Sequence, residues 1–439
     1  SIGRRMRAKE KVGTSLSGGL DSSVVAGAVA SKLRDLPKDK LPESFDGANP
    51  TFSAIFPNQR NNEEDYVDAV LEKHGDYLDP LKIIPDAEQF IVDLRDFIMT
   101  QEEPVISTGP YAQFVTMREA SKYVTVLLDG QGADEMMAGY NPHFIVYLRQ
   151  LRNEGKWDAF FRELWFSKDI VFKMGIEKLK SLFRRGDGIS HLLKEDFVKT
   201  YHNEQYHSTQ DHLKKRLVED IFENSLQALL RYEDRNTTRF ALEGRVPFVQ
   251  KDLVERIFRT SDEAIIKDGW NKRILRDAME DVLPEKVLHR RKKIGFTTPE
   301  HAWFKEIRGP IYECFASPAF AARKYWNQHD VLEAFRDFMG GGGRLNTMDF
   351  WRILNVELWL ETFIDDPDEF KEKPLPPWKP GQLNPGKSLS IHSGGKMWDR
   401  YPVRTPKVNE DTDLESMIFE LLPAYLENPE INKKLSENP

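Results

Sequence analysis

The feature that most constrains the fold of this chain is a short polar loop between an apolar segment and a helix-like segment. Residues 12–16 read as a buried strand, SGGLDSS follows at 17–23, and 22–30 are typical of the start of a helix. Adjacent glycines let the backbone approach an anion closely, while serine hydroxyls and the N–H groups of a helix start donate at the same turn. The predicted phosphate-binding residues are Ser17, Gly18, Gly19 and Ser22.

Asp21 is the one charged residue of this loop. A carboxylate next to a phosphate site is expected where Mg²⁺ bridges the two. The lysine that follows the glycines of the common P-loop is missing, so another kind of ATP site is indicated. The alternative is a Gly-Gly turn that binds no ligand. The loop resembles that of the N-type ATP pyrophosphatases, which activate carboxylates or carbonyls as adenylates and release pyrophosphate.

The composition argues against several other classes of protein. With 439 residues and 40% apolar content the chain can form two sizeable domains, and it contains no apolar run of membrane-spanning or signal-peptide length. A net charge of -8 argues against a general nucleic-acid surface. The single cysteine, Cys314, excludes an intramolecular disulfide and is expected to be buried. We therefore expect a cytoplasmic protein without a nucleic-acid or membrane partner.

Strand-like and helix-like segments alternate in the first third of the chain, with strands expected at 12–16, 51–56 and 124–128. Such alternation predicts an α/β fold, in which a parallel sheet carries helices on both faces and ligands bind beyond the carboxyl ends of the strands. The resemblance of the loop implies the adenine nucleotide alpha hydrolase-like form of this fold.

A mainly helical pattern follows the alternating region, and its aromatic run at 157–165 is expected to belong to the core. Beyond it the composition shifts toward proline, lysine, glycine and serine. The predicted domains are an ATP-pyrophosphatase core at 1–143, a helical part at 144–366 and a C-terminal extension of unknown role at 367–439.

A second motif, DGQGADEMMAGY, occupies residues 129–140 directly after the expected third strand. Its glycines allow close approach of the backbone, and its acidic pair lies at the mouth of the same crevice as Asp21. The alternative is a helix N-terminus that prefers acidic residues. Together the two motifs predict a Mg²⁺ site with Asp21 and Asp134 as carboxylate ligands.

Three further motifs lie in the helical part of the chain. LLRYEDRN at 229–236, with EGRVPF at 243–248, interleaves charged and apolar residues in a pattern typical of a buried polar network. In NKRILRDAM at 271–279, Lys272 precedes a helix and is predicted to point into the crevice. RRKKIGFTTPEHAWF at 290–304 begins with a basic run, for which a solvated surface is the alternative.

The order of these five motifs resembles the synthetase domain of asparagine synthetases, from about residue 4 to residue 365. The resemblance implies ATP and Mg²⁺, with the pyrophosphate part of ATP held by Ser17 to Ser22. It also implies that Lys272 and Lys293 lie near the phosphates and the reacting centre, and that Glu243 is a candidate proton acceptor. The nucleotide contacts that it implies are Leu16, Ser17, Gly18, Gly19, Asp21, Ser22, Ala54, Asp129 and Gly130.

This resemblance predicts an ATP-dependent amide-forming ligase. A substrate carboxylate, with aspartate as the first expectation, attacks the α-phosphorus of ATP, and ammonia or another amine then attacks the acyl-adenylate. The chain has neither the glutaminase domain nor the N-terminal cysteine of the glutamine-dependent enzymes. We therefore expect that it takes free ammonia or an amine, or that a glutaminase is supplied by a separate domain or chain. The sequence leaves open whether the chain forms a homo-oligomer.

Two substitutions keep other functions open. Asp129 stands where many family members have serine, and Gln131 stands where well-known asparagine synthetases have glutamate. A glutamine side chain cannot act as a general base. A specialised relative, similar to β-lactam synthetases or lasso-peptide cyclases, is therefore an alternative, as is amide transfer to another acid. A non-catalytic scaffold subunit is a third alternative, against which the joint presence of Asp21, Asp134 and Lys272 argues.

Overall fold

The computed structural model describes residues 1–365, apart from 38–42, 46, 60, 184–187, 202–207, 209, 292–297 and 344. The predicted extension at 367–439 and Lys293 therefore lie outside the described residues. None of the helices in the described part of the chain is long and apolar enough to span a membrane.

Five parallel strands form one sheet in the order β3-β2-β1-β4-β5. The strands are β1 Val12–Ser15, β2 Asn49–Ala54, β3 Leu78–Ile83, β4 Val126–Leu128 and β5 Glu243–Arg245. This parallel sheet with its helices confirms the predicted α/β class. The central position of β1 places the loop that follows it between the ends of two neighbouring strands, which is where such folds bind ligands.

Most of the described chain outside the sheet is helical. Short 3-10 segments occur at Glu43–Phe45 and Gly188–Leu192, and π-helical turns at Asp220–Asn224 and Glu361–Asp365. The α-helices are α1 Ile2–Arg5, α2 Leu20–Asp35, α3 Glu64–His74, α4 Ala87–Gln101, α5 Gly109–Ala120, α6 Ala133–Met136, α7 Asn141–Asn153, α8 Trp157–Phe166, α9 Lys168–Phe183, α10 Glu195–Tyr201, α11 Leu213–Glu219, α12 Leu226–Arg239, α13 Lys251–Arg259, α14 Asp262–Ile265, α15 Arg273–Ala278, α16 Glu285–Leu288, α17 Glu300–Glu306, α18 Arg308–Ala316, α19 Pro318–Ala321, α20 Gln328–Met339 and α21 Thr347–Leu360.

Two strands were not expected from the sequence. β3 is an edge strand that contains Pro80, a residue that an edge tolerates because its missing N–H breaks no central ladder. β5 is only three residues long and lies inside the part of the chain that was expected to be helical. It joins the sheet through hydrogen bonds from Glu243 N to Thr125 O (2.8 Å) and from Asp129 N to Arg245 O (2.9 Å).

An aromatic cluster joins helices from distant parts of the sequence. The ring of Phe90 on α4 lies 4.7 Å from Tyr111 on α5, 5.3 Å from Trp303 on α17 and 5.8 Å from Trp351 on α21, between centroids. Such contacts stabilise a core beyond the area that they bury. Cys314 on α18 is buried, as expected, and burial raises the pKa of its thiol.

The expectation for the aromatic run on α8 was wrong. Trp157, Phe161 and Trp165 are 50%, 61% and 66% exposed. They follow one another at four-residue spacing and so share one face of the helix, which the described part of the chain leaves largely uncovered. Spacing alone does not tell which side of a helix meets the core.

Candidate active site

A cavity of about 550 Å³ opens at the carboxyl ends of β1 and β4. It is lined by residues from both predicted loops and from the helical part of the chain. Its size is typical of a pocket for a ligand as large as a nucleotide. Charged side chains that line it are Asp21, Asp129, Asp134, Lys272, Arg276, Arg290 and Arg291.

The loop after β1 is organised by its own serines. Ser22 Oγ accepts a hydrogen bond from Ser17 N (3.2 Å) and lies 3.0 Å from Ser17 Oγ. Ser17 Oγ also accepts from Gly19 N at 3.3 Å. α2 begins directly after this turn, at Leu20. The hydroxyls and helix N-terminus therefore meet at one side of the cavity, which is the arrangement that favours an anion.

Gly18 is held from behind by a buried arginine. Its φ of +75° is a left-handed conformation that favours glycine, and an added Cβ would lie 2.9 Å from Tyr66 Cβ. Arg290 donates to Gly18 O at 3.0 Å, is ion-paired with Glu63 and lies 4.2 Å from the ring centroid of Tyr66. Arg290 thus fixes the turn although it follows it by more than 270 residues.

The two predicted loops touch each other at Gly130. A Cβ on Gly130 would lie 2.9 Å from Ser22 N and 3.0 Å from the carbonyl carbon of Asp21. Only glycine permits this approach without a shift of the backbone. The contact brings the carboxylates of the two loops to the same side of the cavity.

Lys272 joins the two carboxylates that the sequence predicts as metal ligands. Its Nζ lies 2.6 Å from both oxygens of Asp21 and 2.6 Å from Asp134 Oδ1. Lys272 is only 4% exposed. Burial alone would lower the pKa of Lys272, but the charges of Asp134 and Asp21 outweigh it, and the pKa is raised. The lysine therefore carries a positive charge between two carboxylates.

The backbone at Lys272 is in an unusual conformation. Its φ of +50° is left-handed, which costs about 1–3 kcal/mol for a residue that is not glycine. Lys272 N donates to Met137 O at 3.1 Å, and Asn271 Nδ2 donates to Gly139 O at 3.1 Å. A Cβ on Gly139 would lie only 1.6 Å from Asp134 Oδ1 and 2.7 Å from Lys272 Cε. The missing side chain of Gly139 therefore leaves room for the side chains of Asp134 and Lys272.

A buried glutamate anchors the turn that precedes Lys272. The carboxylate of Glu163, from α8, accepts hydrogen bonds from Asp268 N (2.7 Å) and Gly269 N (3.0 Å). Arg291 crosses the same turn and donates to Gly269 O at 3.0 Å. Hydrogen bonds to a charged group are stronger than neutral ones, so Glu163 stabilises the turn that positions the lysine.

Asp129 forms a second acidic feature of the cavity. It is 4% exposed, and its Oδ1 accepts a hydrogen bond from Gly130 N at 2.6 Å. Burial raises the pKa of Asp129, the hydrogen bond from Gly130 and the polar side chains of Ser15 and Gln113 oppose the rise, and the charge of Asp21 adds to it. The one hydrogen bond to Asp129 within the described chain comes from a neutral donor, Gly130 N, and its Oδ2 has no partner there.

The orientation of Gln113 is set by Asn236 on α12. Asn236 Nδ2 donates to Gln113 Oε1 (3.1 Å) and to Pro110 O (3.0 Å), and its Oδ1 accepts from Gln101 Nε2 (2.7 Å). The oxygen of Gln113 is used in this bond, and its amide nitrogen has no hydrogen-bond partner within the described chain. This chain of amides is the buried polar network that the interleaved motif predicts.

Glu233, on the same helix, lies behind Asp129. It is 4% exposed, and within the described chain its Oε2 has no hydrogen-bond partner. Burial raises the pKa of Glu233 well above its ordinary value, and the charge of Asp129 adds to the rise. Glu233 does not line the cavity among the described residues, and a Cβ on Gly244 would lie 3.2 Å from its Oε1.

The structure brings most of the predicted site residues together. Those that line the cavity are Ser17, Gly19, Asp21, Ser22, Asp129, Gly130, Asp134 and Lys272. Gly18 forms the turn behind them. Leu16 is fully buried and donates its N–H to Phe52 O at 2.9 Å, and neither it nor Ala54 lines the cavity that the described residues form.

Glu243 lies away from the cavity. It pairs with Val126 at the start of β4, whereas the cavity lies beyond the carboxyl ends of the strands. Its side chain is 61% exposed and accepts a hydrogen bond from Arg245 at 2.7 Å. Its position in the strand therefore separates it from Lys272 and the two aspartates.

Several site residues were not found from the sequence. Glu63, Glu163 and Gln113 come from segments without a recognised motif, and Arg276 and Arg290 were noted only within basic runs. Burial lowers the pKa of Arg276 to about 10 while its guanidinium donates to Asn271 O at 3.0 Å and Arg290 O at 3.0 Å. The available signal was a basic residue within a motif, and it does not separate such an arginine from a solvated one.

Comparison with known proteins gives one consistent family. The family model described as asparagine synthase matches residues 1–361. The chain is 26% identical over 409 residues to "Asparagine synthetase [glutamine-hydrolyzing] 1" of Bacillus subtilis (strain 168), covering 85% of this chain and 60% of that protein. It is 25% identical over 387 residues to "Putative asparagine synthetase [glutamine-hydrolyzing]" of Mycobacterium tuberculosis (strain ATCC 25618 / H37Rv), covering 83% and 56%.

A shorter match is more similar. Over 150 residues the chain is 35% identical to "Putative asparagine synthetase [glutamine-hydrolyzing] 2" of Methanocaldococcus jannaschii, which covers 33% of this chain and 25% of that protein. The aligned part thus spans 60% or less of the length of each of these three relatives. The family model nevertheless covers residues 1–361, which include all the residues that line the cavity. The chain belongs to the asparagine synthase family.

Proposed function

We propose that this chain is an ATP-dependent amide-forming ligase. In the proposed reaction a carboxylate, with aspartate as the first candidate, attacks the α-phosphorus of ATP and pyrophosphate leaves. Ammonia then attacks the acyl carbon of the adenylate, AMP leaves as the nitrogen loses a proton, and the amide, asparagine for the first candidate, is formed. The observation that carries the proposal is the position of Lys272, whose Nζ lies 2.6 Å from Asp21 and Asp134 beside the Ser17–Ser22 loop.

The loop residues are proposed to hold the leaving pyrophosphate. Ser17, Gly19 and Ser22 line the cavity next to the start of α2, where N–H groups and the helix dipole favour negative charge. Gly130 and Asp129, which line the cavity, are proposed to contact the nucleoside. For Leu16 and Ala54, which do not line it, a nucleotide contact is proposed on the family resemblance alone. Arg290 is proposed to keep the turn at Gly18 in the shape that this requires.

Asp21 and Asp134 are proposed to hold Mg²⁺. The fit rests on two carboxylates that each have an oxygen 2.6 Å from one cationic nitrogen, and on the absence of a Cβ at Gly139. Mg²⁺ prefers carboxylate oxygens combined with substrate phosphates, and when bound it neutralises charge on the leaving pyrophosphate. Asp21 and Asp134 would hold the positive charge of Mg²⁺ beside the Ser17–Ser22 loop.

Lys272 is proposed to stabilise the charge that develops at the α-phosphorus and later on the tetrahedral oxyanion. A charge held in position before the reaction stabilises the transition state more than one that must be reoriented. The same role is proposed for Lys293, on the strength of the motif alone. No role at the reacting centre is proposed for Glu243, since its exposed side chain lies at the start of β5.

The source of the nitrogen is proposed to lie outside the described residues. The relatives above are named glutamine-hydrolyzing, and the chain matches 60% or less of their length. We propose that this part of the enzyme accepts ammonia, and that any hydrolysis of glutamine takes place on a separate domain or chain. A specialised relative that joins another amine to another acid is the second candidate, because Gln131, which cannot act as a base, lines the cavity.

Release of pyrophosphate from ATP and Mg²⁺ tests the proposal. The full chain is incubated with aspartate and either ammonia or glutamine, and the product is identified by mass. Asparagine from ammonia but not from glutamine supports the proposed function. Pyrophosphate release with other acids but not with aspartate supports the second candidate. No release with any acid, from a folded protein, contradicts both.

A further inference from the structure

Lys272 lies at the position between Asp21 and Asp134 that the proposed function gives to Mg²⁺. Both carboxylate oxygens of Asp21, and Oδ1 of Asp134, lie 2.6 Å from its Nζ. We propose that the ammonium of Lys272 and Mg²⁺ exchange at this pair of carboxylates. The lysine is the counter-ion of the pair without nucleotide, and Mg²⁺ gains full access only when nucleotide phosphates draw the ammonium away. This inference rests on the proposed function, because it assumes a phosphate at the loop.

The electrostatic reason is the competition of two cations for the same oxygens. With the ammonium in place the two carboxylates keep a net charge of about one negative unit rather than two, so their attraction for Mg²⁺ is weaker. Two cations within a few ångströms also repel each other, and a site that is only 5% exposed at the lysine screens this repulsion poorly. The lysine therefore opposes metal binding as long as it remains between the carboxylates.

The backbone of Lys272 is fixed, so the exchange needs only the side chain to move. Its N–H donates to Met137 O at 3.1 Å, and its carbonyl accepts from Leu275 N and Arg276 N at 3.0 Å each. The side chain is a flexible four-carbon stem with one point charge at its end. Gly139 provides the space beside this stem, because an added Cβ would lie 2.7 Å from Lys272 Cε.

Bound nucleotide would supply a new partner for the ammonium. Lys272 is 4% exposed, and a buried charge that loses its partners is strongly destabilised. Phosphate oxygens at the Ser17–Ser22 loop would supply that partner in the same cavity. Nucleotide and metal are then coupled, and each raises the affinity of the other by the same factor.

Binding of Mn²⁺ to the nucleotide-free full chain tests this inference, with free Mn²⁺ measured by electron paramagnetic resonance. Lys272→Met removes the charge and keeps the apolar stem. We expect it to bind Mn²⁺ about 5- to 150-fold more tightly than the wild type, the usual range for coupling between sites. Lys251→Met is the matched control, since that lysine is 86% exposed on α13, and its affinity should equal the wild-type value.

Thermal unfolding gives a second readout. Mg²⁺ should raise the unfolding temperature of Lys272→Met more than that of the wild type, because a ligand stabilises the state that it binds. Adding Asp134→Asn to Lys272→Met should remove the gain in Mn²⁺ affinity. That loss would locate the Mn²⁺ site at the carboxylate pair. Lys272→Gln replaces Lys272→Met if the latter does not fold.

Equal Mn²⁺ affinities for wild type and Lys272→Met overturn the exchange. So does a failure of both to bind Mn²⁺ at millimolar concentration. In either case continued release of pyrophosphate by the wild type leaves the proposed function standing. Conversely, a tighter Lys272→Met with no pyrophosphate release from the wild type supports the exchange and contradicts the ligase.

Discussion

Two pairs of acidic residues lie near the carboxyl end of β4, one pair partly buried and one fully buried, and they differ in how their charge is compensated. Asp21 and Asp134 share the ammonium of Lys272 at 2.6 Å. Asp129 and Glu233 have no ion pair among the described residues, and burial raises the pKa of both. The first pair keeps its charge through a cation. The second has no such cation, and Asp129 accepts a hydrogen bond from the neutral N–H of Gly130.

This difference separates two kinds of function. A pair that holds a cation is prepared for another cation and for the phosphate that accompanies it, so it fits the chemistry at the α-phosphorus. A buried acid without a cation changes its charge easily when its surroundings or the pH change. The first pair is therefore expected to control turnover, and the second to control stability and its pH dependence.

The largest expected effect comes from removing the cation of the first pair. Lys272→Met should lower pyrophosphate release by about 10²- to 10³-fold, because one preorganised charge is lost from the transition state. The rate is measured at saturating ATP and Mg²⁺, with Lys251→Met as the control that loses an exposed charge. Near-normal turnover in a folded Lys272→Met protein would remove the lysine from the mechanism. The cation of the first pair would then have no effect on turnover that distinguishes it from the second pair.

The amide network beside the second pair can be disrupted at Asn236. Asn236→Ala leaves the buried amides of Gln101 and Gln113 and the carbonyl of Pro110 without their partner. Each such group costs about 1–3 kcal/mol, so the free energy of unfolding should fall by at least that amount. Urea unfolding measures it.

Asn153→Ala is the matched control for Asn236→Ala, since the amide nitrogen of Asn153 donates to Asp211 (2.9 Å) at the exposed surface. The control should unfold at nearly the wild-type urea concentration. If Asn236→Ala did so too, the amide chain would not support the second pair, and Asp129 would be stabilised by other groups.

Glu233→Gln sharpens the comparison through pH. The folded-state pKa of Glu233 is raised above 4.5, so between these two values the folded protein binds more protons than the unfolded chain. The free energy of unfolding of the wild type should therefore fall as pH rises from about 4.5 through the raised folded-state pKa. Each unit of raised pKa contributes about 1.4 kcal/mol to this fall.

The pH dependence of Glu233→Gln should be flatter than that of the wild type, as measured by urea unfolding between pH 4.5 and pH 8. Glu195→Gln is the control, because Glu195 is 81% exposed on α10 and pairs only weakly with Lys199 across the helix surface. Parallel pH profiles for the wild type and Glu233→Gln would show that Glu233 is ionised at little cost despite its burial.

The parts of the site that sequence could predict are local. The strand, the glycines and the serines all lie within residues 12–23, so their geometry follows from neighbours in the chain. The position of Lys272 ahead of a helix was also a local signal. The pairing of the two loops follows from the general rule that parallel strands end at one edge.

The parts that sequence missed depend on contacts between distant segments. Glu63 meets Arg290, and Glu163 meets Gly269, across more than 100 residues. β5 has only three residues and no apolar period, so its pairing with β4 determines its conformation. The exposed aromatic face of α8 likewise depends on which helices pack nearby.

The smallest expected effect is at Glu243, a carboxylate that belongs to neither pair. It is 61% exposed and is paired with Arg245 two residues away. Exposed ion pairs contribute about 0–1 kcal/mol, so Glu243→Gln should change the free energy of unfolding by less than about 1 kcal/mol. Because its side chain is at the start of β5, pyrophosphate release and amide formation should both remain near the wild-type rate.

The two rates are measured separately, with the ammonia concentration varied for amide formation. A loss of amide formation with intact pyrophosphate release would give Glu243 the proton-acceptor role that the family resemblance implies. It would also require β5 to bring a third carboxylate toward the cavity during the reaction.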